Sequence, residues 1–307
     1  MGTPEAARVA AEPRTAGRVV ADAAIHLREA GSATPRLDAE LLIGHALGRD
    51  RAWLHAHPEF AIDDAARALV AEWLNRRAKG EPIAYIRGYK DWFSMRVATD
   101  RRALIPRPET ELLAETAISE IAARLVRDDA TVTAREVATG SGAVTLAIAV
   151  RFRTALMLGR LKLVASDISA EALELASENL AAHGVGHLVT LSCGDLLEPA
   201  MEGETAADLL VANLPYVPSD EVAIGRGSMA WEPSAALDGG SDGLDLLRRL
   251  IGALPAHVAQ QGVALLEVGA GQADAVRRQI ESLPLRTVVT TLRDLAGIER
   301  VVRIARI

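Results

Sequence analysis

One cysteine, Cys193, stands in 307 residues. That excludes an intramolecular disulfide and any zinc cluster built on several cysteines. Aromatic residues make up only 3% of the chain, so its cores fall to Leu, Val, Ala and Ile, and a basic, aromatic platform for stacking nucleic-acid bases is missing. Positive charge is short too: 34 Lys and Arg against 41 Asp and Glu leave a formal charge of −7. A general polyanion binder is disfavoured, although a local basic patch is not. No apolar run reaches the roughly 18 residues of a membrane-spanning helix, and no membrane partner is expected. Met1 to Thr15 mixes Ala, Arg, Glu and Pro without the apolar core of a signal peptide, so the expected compartment is the cytoplasm. His55 and His57 lack an accompanying acid–histidine pattern. They read as a solvated helix end, and no metal is expected.

What is present is a soluble globular composition, 50% hydrophobic and 24% charged, long enough for one large domain and a smaller one. Between Ala16 and Ala78, apolar residues recur at helical spacing, as at Leu37, Leu41 and Leu42 and again at Leu69, Val70, Trp73 and Leu74. Gly31, Pro35, Gly48 and Pro58 divide the region into short helices. Lys79-Gly80-Glu81-Pro82 ends it. Residues 83–103 hold Tyr85, Tyr89, Trp92 and Phe93 with Ile86, Met95 and Val97, which predicts a β-hairpin. The stretch from Leu104 to Glu111 carries Pro106 and Pro108 and reads as an extended connector, with a helix from near Thr110 to about Arg127. Apolar runs at 135–138, 161–166, 188–192, 208–212 and 262–268 then alternate with helical stretches. This rhythm predicts a mostly parallel sheet with helices on both faces. Two closely spaced late strands, 286–293 and 300–305, predict an antiparallel addition at the edge.

Open α/β sheets bind ligands at the carboxyl ends of their strands, and four consecutive predicted strand ends carry ligand-type residues. The first leads into Ala138-Thr139-Gly140-Ser141-Gly142, where glycines let the backbone approach a ligand before a helix N-terminus. The second ends at Asp167, placed to bond vicinal ribose hydroxyls. Ser169 is the better N-cap for the next helix, which leaves Asp167 free. The third ends at Gly194-Asp195-Leu196, where the acid suits either an adenine amino group or a turn. The fourth ends in Asn213-Leu214-Pro215-Tyr216. The Asn213 amide oxygen and the Leu214 carbonyl are two acceptors, Pro215 fixes φ without offering an N–H, and Tyr216 supplies a flat face. Together they suit a planar –NH2 group held still while its nitrogen is alkylated, with adenine and glutamine equally admissible.

The series of strand ends resembles the class I S-adenosylmethionine-dependent methyltransferases, and nearly the whole chain resembles the release factor glutamine methyltransferases, the HemK/PrmC family. The likeness is carried by Arg36-Leu37-Asp38-Ala39-Glu40-Leu41-Leu42, by Gly80 to Ile86, and by the connector Leu104 to Glu111. Trp231-Glu232-Pro233, Ala236 to Leu244 and Asp294 to Arg300 carry it further. Two places depart from the family. Asn-Leu-Pro-Tyr stands where Asn-Pro-Pro-Tyr is usual, and is similar to the rRNA adenine dimethyltransferases. Glu136-Val137-Ala138-Thr139-Gly140 stands where Asp-Leu-Gly-Thr-Gly is usual.

The resemblance implies a Rossmann-like seven-stranded methyltransferase sheet, mostly parallel with one antiparallel strand, preceded by a small helical domain. Residues 1–80 would form a helical substrate-docking domain, 81–109 a hairpin and hinge connector, and 110–307 the S-adenosylmethionine-binding domain. Ala138, Thr139, Gly140, Ser141 and Gly142 would line the methionine end of the cofactor, Asp167 would hold the ribose, and Asp195 with Leu196 would border the adenine. Asn213 would face cofactor and substrate together. Asn213, Leu214, Pro215 and Tyr216 would be catalytic, S-adenosylhomocysteine the product, and the partner a peptide chain release factor methylated at the glutamine of its Gly-Gly-Gln motif. Three rivals are an adenine-N6 methyltransferase on RNA or DNA, which the acidic balance disfavours, a ribosomal-protein glutamine methyltransferase, and a binding protein of the same fold without turnover.

Overall fold

The computed structural model describes residues 14–127, 131–198, 206–225 and 227–307, and most of the N-terminal tail lies outside them. The chain forms two compact units, one ending at Arg87 and one running from Gly88 to Ile307.

The first unit is helical, with helices Ala16–Glu29, Pro35–Leu47, Arg51–Ala56, Asp64–Ala78 and Ile83–Arg87. Their ends follow local chemistry. Pro35 occupies a first-turn position and Gly48 closes the same helix at φ 61°. Asp50 and Asp63 cap the next two, each carboxylate accepting a backbone N–H at 2.7 Å. Val20, Leu27, Ile43, Leu54 and Val70 fill the core. Leu37 and Leu69, whose spacing predicts burial, are instead over a third exposed. On the helix carrying Leu37, buried Asp38 and Glu40 take inward positions, held by Arg77 at 2.7 Å and Arg51 at 2.8 Å. His55 lies exposed at the end of its short helix.

The hairpin is shorter than the sequence predicts. Residues 83–87 are helical because the Pro82 carbonyl accepts from the Tyr85 and Ile86 amides at 3.0 and 3.1 Å, starting a turn that Gly88 stops at φ 75°. The hairpin itself pairs β1 (Tyr89–Trp92) with β2 (Met95–Ala98). Phe93 and Ser94 both take positive φ, as a two-residue turn between twisted strands requires.

The second unit is built on a seven-stranded sheet made of β3 (Val132–Val137), β4 (Leu161–Asp167), β5 (Thr190–Cys193), β6 (Ala207–Ala212), β7 (Val258–Glu267), β8 (Thr287–Arg293) and β9 (Glu299–Arg306), in the order β5-β4-β3-β6-β7-β9-β8. Strands β3 to β7 pair in parallel, and β9 runs antiparallel to both β7 and β8. The antiparallel strand therefore lies inside the sheet and β8 forms the edge. Both faces are covered. Leu113, Ile121, Leu146 and Ile148 pack with Leu209 and Leu265 on one side, and Leu247, Leu250 and Ile251 with Leu210 and Leu266 on the other. Burial on both faces explains why the central strands read as near-continuous apolar runs.

Candidate active site

Strand order reverses between β3 and β6, and pairing register brings their ends side by side. Val137 pairs with Ser166 on β4 and Ala212 on β6, and Ala212 pairs with Leu266 on β7. Residues 138, 213 and 267 are thus neighbours along the carboxyl rim, with Asp167 next in the row. Such a reversal point opens a crevice. It holds a cavity of about 550 Å³ whose wall includes Ala138, Thr139, Gly140, Ser141, Asp167, Asp195, Leu196, Asn213, Leu214 and Pro215. Gly142 and Tyr216 are not in that wall. A Cβ at Gly142 would sit 2.9 Å from the Ala176 Cβ, so this glycine answers to helix packing.

In the turn after β3, Ala138, Gly140 and Gly142 all have positive φ. Nothing approaches the space beside the Gly140 Cα, so the backbone there is open to a ligand. Under the turn, Glu136 is buried and accepts from the hydroxyls of Thr139, at 2.9 Å, and Thr145. Burial pushes its carboxyl up to about 7 despite those bonds, and the nearby Asp167 adds to the effect.

Asp167 is not free, as the sequence reading had it. Ser169 does cap its helix, but the two Asp167 oxygens accept from the backbone N–H groups of Gly140 at 2.8 Å and Ser169 at 2.9 Å. Burial raises its pKa even so. The bonds fix the carboxylate beside the glycine turn, and each oxygen keeps a lone pair for a further donor. Asp195 is held from outside: its Oδ2 accepts from Arg249 at 2.6 Å, leaving Oδ1. Leu196 adopts a φ of 55°.

Asn213 donates its Nδ2 hydrogen to Thr110 Oγ1 at 3.1 Å, which leaves Oδ1 as the end available to a substrate. The Leu214 side chain is buried in the core with Val137, Leu210 and Leu247, so its backbone is what it offers the crevice. A second cavity of about 200 Å³ shares Asn213, Leu214 and Pro215 with the wall of the first and is also lined by Tyr216, Val217 and Met229. Tyr216 donates its hydroxyl to Glu267 Oε1 at 3.4 Å, and its carbonyl accepts from Gln272 Nε2 at 3.0 Å. Burial, with the charge of Glu267, pushes the Tyr216 phenol up to about 12, so it stays protonated.

The connector borders both cavities through Leu104 and Arg107. Buried Glu232 fastens it, accepting from Arg107 at 2.7 Å and from the Ile105 amide at 3.1 Å, while the Arg101 guanidinium lies 4.7 Å above the Trp231 ring centre. Thr110, Glu267, Gln272 and Arg249 carry no role in the sequence reading. Only Glu267 left a signal there, as an acid closing the apolar run that ends β7.

The chain is similar to known proteins over most of its length. The family model described as the PrmC N-terminal domain matches residues 18–88. The release factor glutamine methyltransferase of Bordetella pertussis is 37% identical over 87% of this chain and 93% of its own length. That of Koribacter versatilis is 37% identical over 90% and 93%. This chain belongs to the release factor glutamine methyltransferases. Among solved structures, the hMettl16 catalytic domain in complex with the MAT2A 3′UTR hairpin 6 shares the fold, with a TM-score of 0.51 over 78% of this chain and 81% of that one at 11% identity. Of the two departures noted at 138 and 214, the structure accounts for the second and not the first. Leucine at 214 adds to the core under the loop, and alanine at 138 takes a backbone conformation that glycine adopts without strain.

Proposed function

We propose that this enzyme transfers a methyl group from S-adenosylmethionine to the side-chain amide nitrogen of the glutamine in the Gly-Gly-Gln motif of peptide chain release factors, in the cytoplasm. The observation that carries this is the pair of adjoining cavities with Asn213, Leu214 and Pro215 as their common wall. The larger has what the cofactor needs: an open glycine turn, the acids Glu136 and Asp167 for a cationic amino acid end and ribose hydroxyls, and Asp195 with Leu196 for the adenine. S-adenosylmethionine supplies an electrophilic methyl on a sulfonium and leaves as S-adenosylhomocysteine. The smaller cavity takes the glutamine side chain.

A carboxamide nitrogen is a poor nucleophile because its lone pair is delocalised into the carbonyl. Asn213 Oδ1 and the Leu214 carbonyl each accept one N–H of the substrate amide. That aims the nitrogen across the shared wall and stabilises the positive charge that grows on it as its bond to the methyl carbon forms. Pro215 holds the loop, and Tyr216 lines the smaller cavity. No strong base is needed, since the alkylated nitrogen readily loses its proton. Leu214, which at first sight favours an RNA adenine, has its side chain in the core and serves through a carbonyl that any residue would supply. The helical unit is assigned to docking the release factor. Mass spectrometry of a release factor incubated with enzyme and cofactor tests the reading: one added methyl should map to the Gly-Gly-Gln glutamine, and a methyl elsewhere would refute it.

A further inference from the structure

Sequence leaves Asp195 between an adenine contact and a turn residue, and its bonds are not those of a turn. Turn aspartates elsewhere in this chain accept a backbone N–H from two residues on: Asp238 from Gly240 at 2.9 Å, Asp242 from Leu244 at 3.2 Å and Asp294 from Ala296 at 2.9 Å. The Asp195 carboxylate takes no such bond among the described residues. Its partner there is Arg249, whose Nη2 donates to Oδ2 at 2.6 Å from 54 residues away. Arg249 lies on the helix Asp245–His257, three residues after Leu246, so the two share a face. Both line the larger cavity, as do Asp195 and Leu196. Leu196 and Leu246 also pack against the same core cluster. The loop carrying Asp195 follows β5, the outer strand at one end of the sheet. A strand therefore holds it from one side only, and the arginine reaches it from elsewhere in the fold.

We propose that Arg249 is a positioning residue for cofactor specificity: it holds the Asp195 carboxylate with Oδ2 engaged and Oδ1 turned to accept from the exocyclic amino group of adenine. The inference rests on the reading of the larger cavity as the S-adenosylmethionine site. An amino group donates to Oδ1, whereas the oxo group of hypoxanthine only accepts and would meet Oδ1 acceptor to acceptor. A carboxylate fixed in place thus selects adenine, and one free to rotate away selects less. The two side chains are about half exposed, at 54% and 42%, so their mutual attraction is weak and the arginine acts through orientation. None of Asp195, Leu196, Leu246 and Arg249 lines the smaller cavity. The effect therefore falls on cofactor binding rather than on the transfer step.

The test is calorimetry of the full chain with S-adenosylhomocysteine and with its 6-oxo counterpart, S-inosylhomocysteine, for wild type, Arg249→Met, Arg249→Lys and Asp195→Asn. Wild type should prefer the adenine compound by about tenfold or more. Arg249→Met keeps an apolar stem without the charge and should cut that preference by about threefold or more. Arg249→Lys should recover part of it, since lysine restores the charge without the planar fork. Asp195→Asn should remove most of it, because an amide can turn either an acceptor or a donor to the base. In turnover, the Arg249→Met loss should appear in KM for the cofactor rather than in kcat. A merely structural arginine would lower the melting temperature, or weaken both compounds equally, and leave the ratio unmoved. Should Arg249→Met not fold, Arg249→Gln replaces it and the same ratio is read. A wild-type ratio in the folded Arg249 variant, beside a reduced one in Asp195→Asn, overturns the positioning role alone. A wild-type ratio in Asp195→Asn, or no preference in wild type, overturns the placement of adenine on which it rests.

Discussion

Ala138 sits at φ 57° in the turn after β3, a conformation that costs an L-residue about 1–2 kcal/mol and glycine almost nothing. Ala138→Gly should therefore stabilise the methyltransferase unit by about 1 kcal/mol, read as a higher urea midpoint with unchanged slope. Glu136 supplies a second prediction at this scale. Its carboxyl titrates near 4.5 in the unfolded chain and is pushed up to about 7 by burial in the fold. The folded state therefore holds the proton more tightly. The stability this confers is complete below about pH 4.5 and is lost as pH rises to about 7. Glu136→Gln, which carries no charge to desolvate, should flatten that decline in a series of melting temperatures from pH 4.5 to 8. An unchanged slope would contradict the assigned burial effect. Placement of single residues at the cavity wall was legible in the sequence where it depended on position at a strand end, as for Asp167 and Asn213. It was illegible where it depended on a partner distant in the chain. Thr110 lies 103 residues from Asn213, and Asp195, in the loop after β5, is paired with Arg249 on the helix Asp245–His257. No local spacing reports such pairs.

Among elements, the loop after β6 depends on two segments that grip it. Gln272 holds the Tyr216 carbonyl, and Gly239 and Gly243 lie against the backbone of Pro215 and Tyr216. A Cβ at Gly239 would be 2.7 Å from the Pro215 oxygen, and one at Gly243 would collide with the Tyr216 carbonyl. Gly243→Ala should accordingly push the loop out of place and lower kcat by about tenfold or more, with cofactor affinity retained because none of these atoms belongs to the glycine turn. Calorimetry and turnover on the same preparation check this, and wild-type kcat would refute it. The strands themselves were readable because full burial makes them continuous apolar runs. The helical turn at Ile83–Arg87 was not, since its aromatic and β-branched residues favour strand and only the Pro82 carbonyl and Gly88 set its limits.

Over the whole molecule, the sheet order determines what the strand ends can do together. Chain order gives β3, β4, β5 and then β6, but only the reversal between β3 and β6 sets the glycine turn beside Asn213 and makes one wall serve two cavities. Periodicity could announce parallel strands and a late antiparallel pair. It could not place β9 inside the sheet, because neighbour choice is a property of the assembled core and not of any strand. The charge of −7 acts at this scale as well, favouring a protein substrate over a nucleic acid. The most direct test of that choice is transfer of labelled methyl from S-adenosylmethionine by the full chain to purified release factor offered beside ribosomes, RNA and DNA, with Asn213→Ala in parallel. The label is expected on the release factor, reduced by about 100-fold or more in the Asn213→Ala reaction. Label on nucleic acid alone, or undiminished label with Asn213→Ala, would contradict the account.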